Sequence, residues 1–218
     1  MNRKPKIIGI TGGMSSGKST VARMLASLGA EHIDADEMCH RLLIAKDVKQ
    51  RIIARFGDTV HDAYGKIDRS RLAEIVFQDK TCLDDLCNIL HPIVIEQIRS
   101  RVDEIEQQGR RKAIVIDAAL LEESGLSLIC DLVIFVNTSS DHRVKQSQIG
   151  RHWNKEELEK RERFQMALED KKRKADYIID NNLTIDNTFR QVKEFWQYYI
   201  EEFNLKKRGG KYHGSNKR

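Results

Sequence analysis

The apolar positions of this chain fall into two kinds of pattern. Short apolar runs occur at Lys6–Thr11, Lys112–Ile116 and Leu132–Val136, and read as strands buried in a sheet. His32–Asp34 closes a second short strand and Tyr177–Ile179 is a last short one. Between them the spacing turns helical. It predicts helices over Lys18–Leu28, stopped at Gly29, and over one long stretch from Asp36 to Phe56, stopped at Gly57. Further helices are expected at Asp68–Phe77, with Asp68 as its cap, and at Asp79–Leu90 and His91–Gln108, split by Pro92 at a helix start. The closing set is Asp141–Gly150, Asn154–Arg173 and Thr184–Phe203. The last carries an aromatic stripe, Phe189, Val192, Phe195, Trp196 and Tyr199, that reads as core.

Strands alternating with helices imply an α/β fold: a parallel five-stranded sheet with helices on both faces. No strand interrupts residues 36–110, so that block reads as a helical lobe inserted in the sheet. Residues 1–205 then form one domain, with a basic lid at about 139–165.

Charge changes the picture at one end only. The 218-residue chain carries a net +5. Six of its positive residues, Lys206, Lys207, Arg208, Lys211, Lys217 and Arg218, lie in the last thirteen positions, and the rest of the chain is close to neutral. A solvated, disordered tail at 206–218 is therefore expected, not a basic nucleic-acid-binding face. Cys39, Cys82, Cys87 and Cys130 have no CxxC spacing and no histidine set to complete a zinc site. Cys39 and Cys130 read as small core residues. A reduced, cytoplasmic protein fits, with no membrane span and a polar N-terminus that is no signal peptide.

The chemistry starts at Gly12-Gly13-Met14-Ser15-Ser16-Gly17-Lys18-Ser19, which fits GxxxxGK[ST] between a buried strand and a helix. The glycines let successive backbone N–H groups curl toward phosphate oxygens, and the helix adds its positive dipole end. Lys18 supplies a mobile charge to the terminal phosphates, and the Ser19 hydroxyl can join a Mg²⁺ shell. The cofactors expected are thus ATP and Mg²⁺, on Gly12 to Ser19 and the adjacent Thr20. Asp34 ends the second strand and Asp36 lies at the start of the next helix, where a carboxylate can take a proton from an attacking hydroxyl or hold a magnesium water; one of the two could instead only cap the helix. Asp117 ends an apolar strand, as a Walker-B acid that supports Mg²⁺ does, or it is a structural cap. Among the many basic residues of 142–173, most of them a solvated face, Arg151 is the first choice for contacting the transferring phosphate.

These motifs resemble the dephospho-CoA kinase family. The matching pieces are IGITGGMSSGKST, IDADEMCH, GKIDRSRLAEIVF, LHPIVIEQI, IVIDAALLEESG and ADYIIDNN, in the family's order, over about residues 6–200. The resemblance implies a P-loop kinase fold and ATP-dependent phosphorylation of the ribose 3′-hydroxyl of dephospho-CoA. It implies Asp36 as the base, with Thr11 and Asp34 beside the acceptor and metal. It places His40, Arg69, His91 and Pro92 around the CoA moiety. Locally, His91 could equally cap a helix start, and Arg69 could pair with Asp68 or Glu74. The chain departs from the family's D-x-P-LL-aromatic-E pattern, reading Asp117-Ala118-Ala119-Leu120-Leu121-Glu122-Glu123. In the lid's Q-x-x-R-l-x-x-R pattern, Ser147 takes the first arginine position and Arg151 the second. The rival readings are another small-molecule or nucleoside monophosphate kinase, or a nucleotide-dependent regulatory or nucleic-acid-binding protein. The sequence leaves the oligomeric state open.

Overall fold

The computed structural model describes residues 4–202. The tail expected at 206–218, and the end of the last helix at Phe203, lie outside the described residues. Five strands form one sheet: β1 (Lys6–Gly12), β2 (Glu31–Asp34), β3 (Ala113–Asp117), β4 (Leu132–Asn137) and β5 (Tyr177–Asp180). Their order is β2-β3-β1-β4-β5, and every neighbouring pair runs parallel. The expected α/β architecture, a parallel five-stranded sheet flanked by helices, is the one observed.

Alternation along the strands feeds two cores. In β3, Ile114 and Ile116 face one cluster while Ala113 and Val115 face the other. The first cluster is shared with α2 (Ala35–Leu42), α3 (Lys46–Phe56), α4 (Arg69–Val76) and α5 (Lys80–Gln108). The second is shared with α1 (Lys18–Ser27) and α9 (Ile185–Phe195). The aromatic stripe of the closing helix is core as expected: Val192, Phe195 and Trp196 are buried, and Tyr199 stacks on Phe195 with centroids 4.9 Å apart. The chain past α9 widens into a π-helical stretch, Trp196–Glu202.

Several helix boundaries differ from the sequence reading. The stretch expected as one helix from Asp36 to Phe56 is two, because the chain turns through Leu43–Ala45, and Leu42 and Leu43 before and in the turn and Val48 and Ile52 after it are buried in the same cluster. Conversely, Asp79–Leu90 and His91–Gln108 are one continuous helix, and Pro92 lies inside it rather than at a start. The proline removes one backbone donor, yet burial of Ile89, Leu90, Val94, Ile98, Val102 and Ile105 carries the helix through. His91 is therefore mid-helix and caps nothing. The segment Asn154–Arg173 divides into α7 (Lys155–Glu162) and α8 (Leu168–Lys174), preceded by α6 (Ser140–Arg151). Cys39 and Cys130 are half-buried against the first core rather than fully inside it. Among the described residues no helix is long and apolar enough to cross a membrane.

Candidate functional site

Because all strands are parallel, their C-terminal ends share one edge, where ligands bind in such sheets. The register sets Asp34 beside Asp117 and Gly12 beside Val136. The loop Gly12–Ser19 leaves β1 there. Gly17 is the N-cap of α1, in a left-handed conformation with φ of 92°, and Ser15 is also left-handed with φ of 56°. These turns coil the loop at the positive end of α1, with the Ser16 N–H donating to the Gly13 carbonyl oxygen at 3.3 Å. The loop is braced from outside. Thr138 Oγ1 and Asn181 Nδ2 both donate to the Ser16 carbonyl oxygen, at 2.8 and 2.9 Å. Thr11 is fully buried beneath it, and its hydroxyl has no protein partner.

Lys18 is buried and folds back over the loop, donating to the Gly13 carbonyl oxygen at 2.8 Å and the Gly12 carbonyl oxygen at 3.3 Å. Burial pushes its ammonium below the ordinary lysine range, and the charges of Asp36 and Asp117 resist that. The two acids at the end of β2 and the start of α2 divide their roles. Asp34 caps α2, its Oδ1 accepting from the Glu37 N–H at 2.8 Å. Asp36 lies in the first turn of α2 and opens onto a cavity, where it accepts from the Ala119 N–H at 3.4 Å. Protein closing round it pushes its carboxyl above the ordinary range, and Lys18 only partly offsets this.

Asp117 is 4% exposed at the end of β3. Burial alone would raise its carboxyl, but the neighbouring His32, with Nε2 3.8 Å from Oδ2, the neighbouring Ser19 and the charge of Lys18 hold it below the ordinary range. A carboxylate kept ionised beside the Ser19 hydroxyl is a donor pair suited to a hard divalent cation. Asp117 also belongs to a second donor group, His32, Asp34 and Asp117, whose ligand atoms lie within 4.8 Å of one another.

The cavity measures about 930 Å³ and runs from Met14 and Asp36 over the helical segment. His40, Arg69 and His91 line it, with Leu86, Leu90 and Phe77 forming apolar wall. Arg69 Nη2 meets His40 Nε2 at 2.8 Å, not Asp68 or Glu74, so the guanidinium is held on the cavity side. Burial pushes the His91 imidazole below the ordinary range, against the charge of Glu123. Pro92, expected beside His91 in the site, is exposed and is not part of the cavity wall. Cys39 and Cys87 also line the cavity; burial pushes their thiols up to about 12 and about 11, so neither is a thiolate nucleophile.

Arg151 reaches the same cavity from the end of α6 and lies over the Trp153 ring, 4.8 Å from its centroid. Arg161 sits between Trp153 and Phe77, at 4.1 and 4.4 Å. This stack ties residues 151–161 to α4 across the cavity mouth. Sequence reasoning did not single out Arg161, nor the pair Arg143–Glu162. Arg143 donates to Glu162 Oε1, which also accepts from the Met14 N–H at 2.9 Å. It also did not single out Lys171, whose wholly buried ammonium meets the Ala119 carbonyl and Glu123. All of these lie in a run of alternating charges that reads as a solvated face, and only the fold shows which of them turn inward.

The dephospho-CoA kinase family model matches residues 6–187. A dephospho-CoA kinase from Fusobacterium nucleatum is 38% identical over 191 residues, 87% of this chain and 96% of that one. A solved Thermus thermophilus structure superposes with a TM-score of 0.75 at 28% identity, covering 90% of this chain and 99% of the other. The dephospho-CoA kinase from Campylobacter jejuni superposes with a TM-score of 0.64 at 26% identity, covering 90% and 98%.

Proposed function

The chain belongs to the dephospho-CoA kinase family, and from that premise we propose how its residues carry ATP-dependent phosphorylation of dephospho-CoA. The acceptor is the ribose 3′-hydroxyl. The triphosphate lies on the Gly12–Ser19 amides with Thr20 behind them, Lys18 turns from the loop carbonyls to the terminal phosphates, and transfer is in line. The CoA moiety lies in the cavity against His40, Arg69 and His91; Thr11, fully buried, and Asp34, which caps α2 outside the cavity wall, do not line it.

Asp36 is the base. The single observation that carries this is its place: a carboxylate at the meeting point of loop and cavity, with its charge facing Lys18. There it accepts the proton of the acceptor hydroxyl as the O–P bond forms, while ADP leaves. Arg151, over the cavity mouth, compensates charge on the transferring group. Ser19 and Asp117 would hold Mg²⁺, which supplies charge neutralisation at the phosphates when bound. Residues 1–205 act as one kinase unit, with the lobe at 36–110 and the lid at 139–165. A cytoplasmic location suits such an enzyme.

The test is Asp36→Asn. It is expected to fold and bind ATP as before while kcat falls roughly 10²–10⁴-fold. Near-normal turnover would remove Asp36 from that role.

A further inference from the structure

Glu162 ends α7, and its carboxylate touches two groups that are both built to hold anions. One is the Met14 N–H, which belongs to the phosphate-binding loop, 2.9 Å from Oε1. The other is the Arg143 guanidinium, which donates to the same oxygen. Arg143 lies so close over the loop that a Cβ on Gly13 would come within 2.8 Å of its Nη1. Its side chain is 7% exposed and that of Glu162 is 18% exposed. Arg143 Nε is buried without a protein partner, so the guanidinium keeps an unused donor at the loop. Ser147, one helical turn further on the same face of α6, is small and fully buried.

An ion pair that merely fastened two helices would have no need of a loop amide. A carboxylate bridging a loop N–H and a buried arginine has instead the chemistry of a phosphate oxygen at the same position. We propose that Glu162 is an internal competitor of the triphosphate: its carboxylate holds the Met14 amide and Arg143 until the nucleotide's terminal phosphates displace it and take over Arg143. The inference rests on the triphosphate-site reading given above.

The exchange has a direction. A terminal phosphate offers more negative charge and more acceptor oxygens than one carboxylate, so it prevails for both donors. A nucleotide without those phosphates cannot replace Glu162, because nothing on it reaches Met14 and Arg143 together. Glu162 thus weakens binding of ATP in absolute terms while making occupation of the site depend on the phosphates. It also leaves Arg143 neutralised until the phosphoryl donor arrives.

The experiment is calorimetric titration of ATP and of AMP into the full chain, as wild type and as Glu162→Gln, with thermal melting of each. The glutamine keeps the shape and removes the competing charge. ATP is expected to bind about tenfold more tightly to Glu162→Gln, with AMP unchanged and Tm lowered by loss of the ion pair. A purely structural Glu162 would lower stability and affinity together. Glu162→Asp, which keeps the charge but withdraws it by one methylene, is expected to tighten ATP as well. Unchanged or weaker ATP binding in a folded variant overturns the proposal, and so does failure of both variants to fold. Wild-type protein that does not bind ATP, or Lys18→Ala that binds it as wild type does, overturns the triphosphate-site reading itself.

Discussion

Lys171 places its ammonium 3.0 Å from the Ala119 carbonyl oxygen and 2.9 Å from Glu123 Oε1, and its side chain is wholly buried. Glu123 in turn accepts from the Met166 N–H at 2.8 Å, so a helix after the lid is fastened to the loop that follows β3. The same Ala119 gives its N–H to Asp36. The pair thus stands directly behind the residue proposed as base.

Removing one partner of a buried pair leaves an uncompensated charge. Lys171→Met should cost about 3–5 kcal/mol, measured by denaturant unfolding. Lys171→Met combined with Glu123→Gln should recover much of that, because the glutamine still accepts from Met166 and no charge is stranded. Equal loss in the single and double variants would show that the ion pair is not what holds α8.

Gly17 is left-handed at φ of 92°, and a Cβ there would lie 2.5 Å from Asn181 Nδ2. Gly17→Ala is therefore strained in its backbone and also dislodges the amide that braces the Ser16 carbonyl. A loss of about 1–3 kcal/mol is expected, with weaker ATP binding. Adding Asn181→Ala removes the clash and not the strain, so only part of the loss should return. Wild-type stability in Gly17→Ala would mean the loop adopts another course.

The pH dependence of turnover follows from the two acids. A base must be ionised, and the Asp36 carboxyl is pushed up by loss of solvent. As pH falls, Asp36 protonates before an ordinary carboxyl would, so the acid limb of kcat/KM should lie above about 3.9. Asp117 is held low and stays ionised through that range, so it does not set the limb. The limb should vanish from the residual rate of Asp36→Asn. A limb at or below the ordinary carboxylate value contradicts the assignment.

Much of the fold was legible because burial on both faces writes strands as continuous apolar runs: KIIGIT, KAIVI and LVIFV each became a strand. What was not legible were breaks set by tertiary packing. Nothing local at Leu43–Ala45 announces a turn, and Pro92 misleads because long-range burial on α5 outweighs its missing donor. In the site, the phosphate loop and the acids at strand ends were visible, since their spacing is itself the chemistry. Arg143, Glu162, Arg161 and Lys171 were not. A charged residue in a charged run gives no sign of turning inward, and each acquires its meaning from a partner far away in sequence, Met14, Phe77 or Ala119.

The reaction itself can be read by giving the purified protein ATP, Mg²⁺ and either dephospho-CoA or a panel of nucleoside monophosphates, with the product identified by mass and by phosphorus NMR. One product is expected, coenzyme A, phosphorylated on the ribose 3′-hydroxyl, formed with ADP in equal amount and absent in Asp36→Asn at matched times. Phosphorylation of a nucleoside monophosphate in preference to dephospho-CoA, or ATP binding with no acceptor turned over, would contradict it.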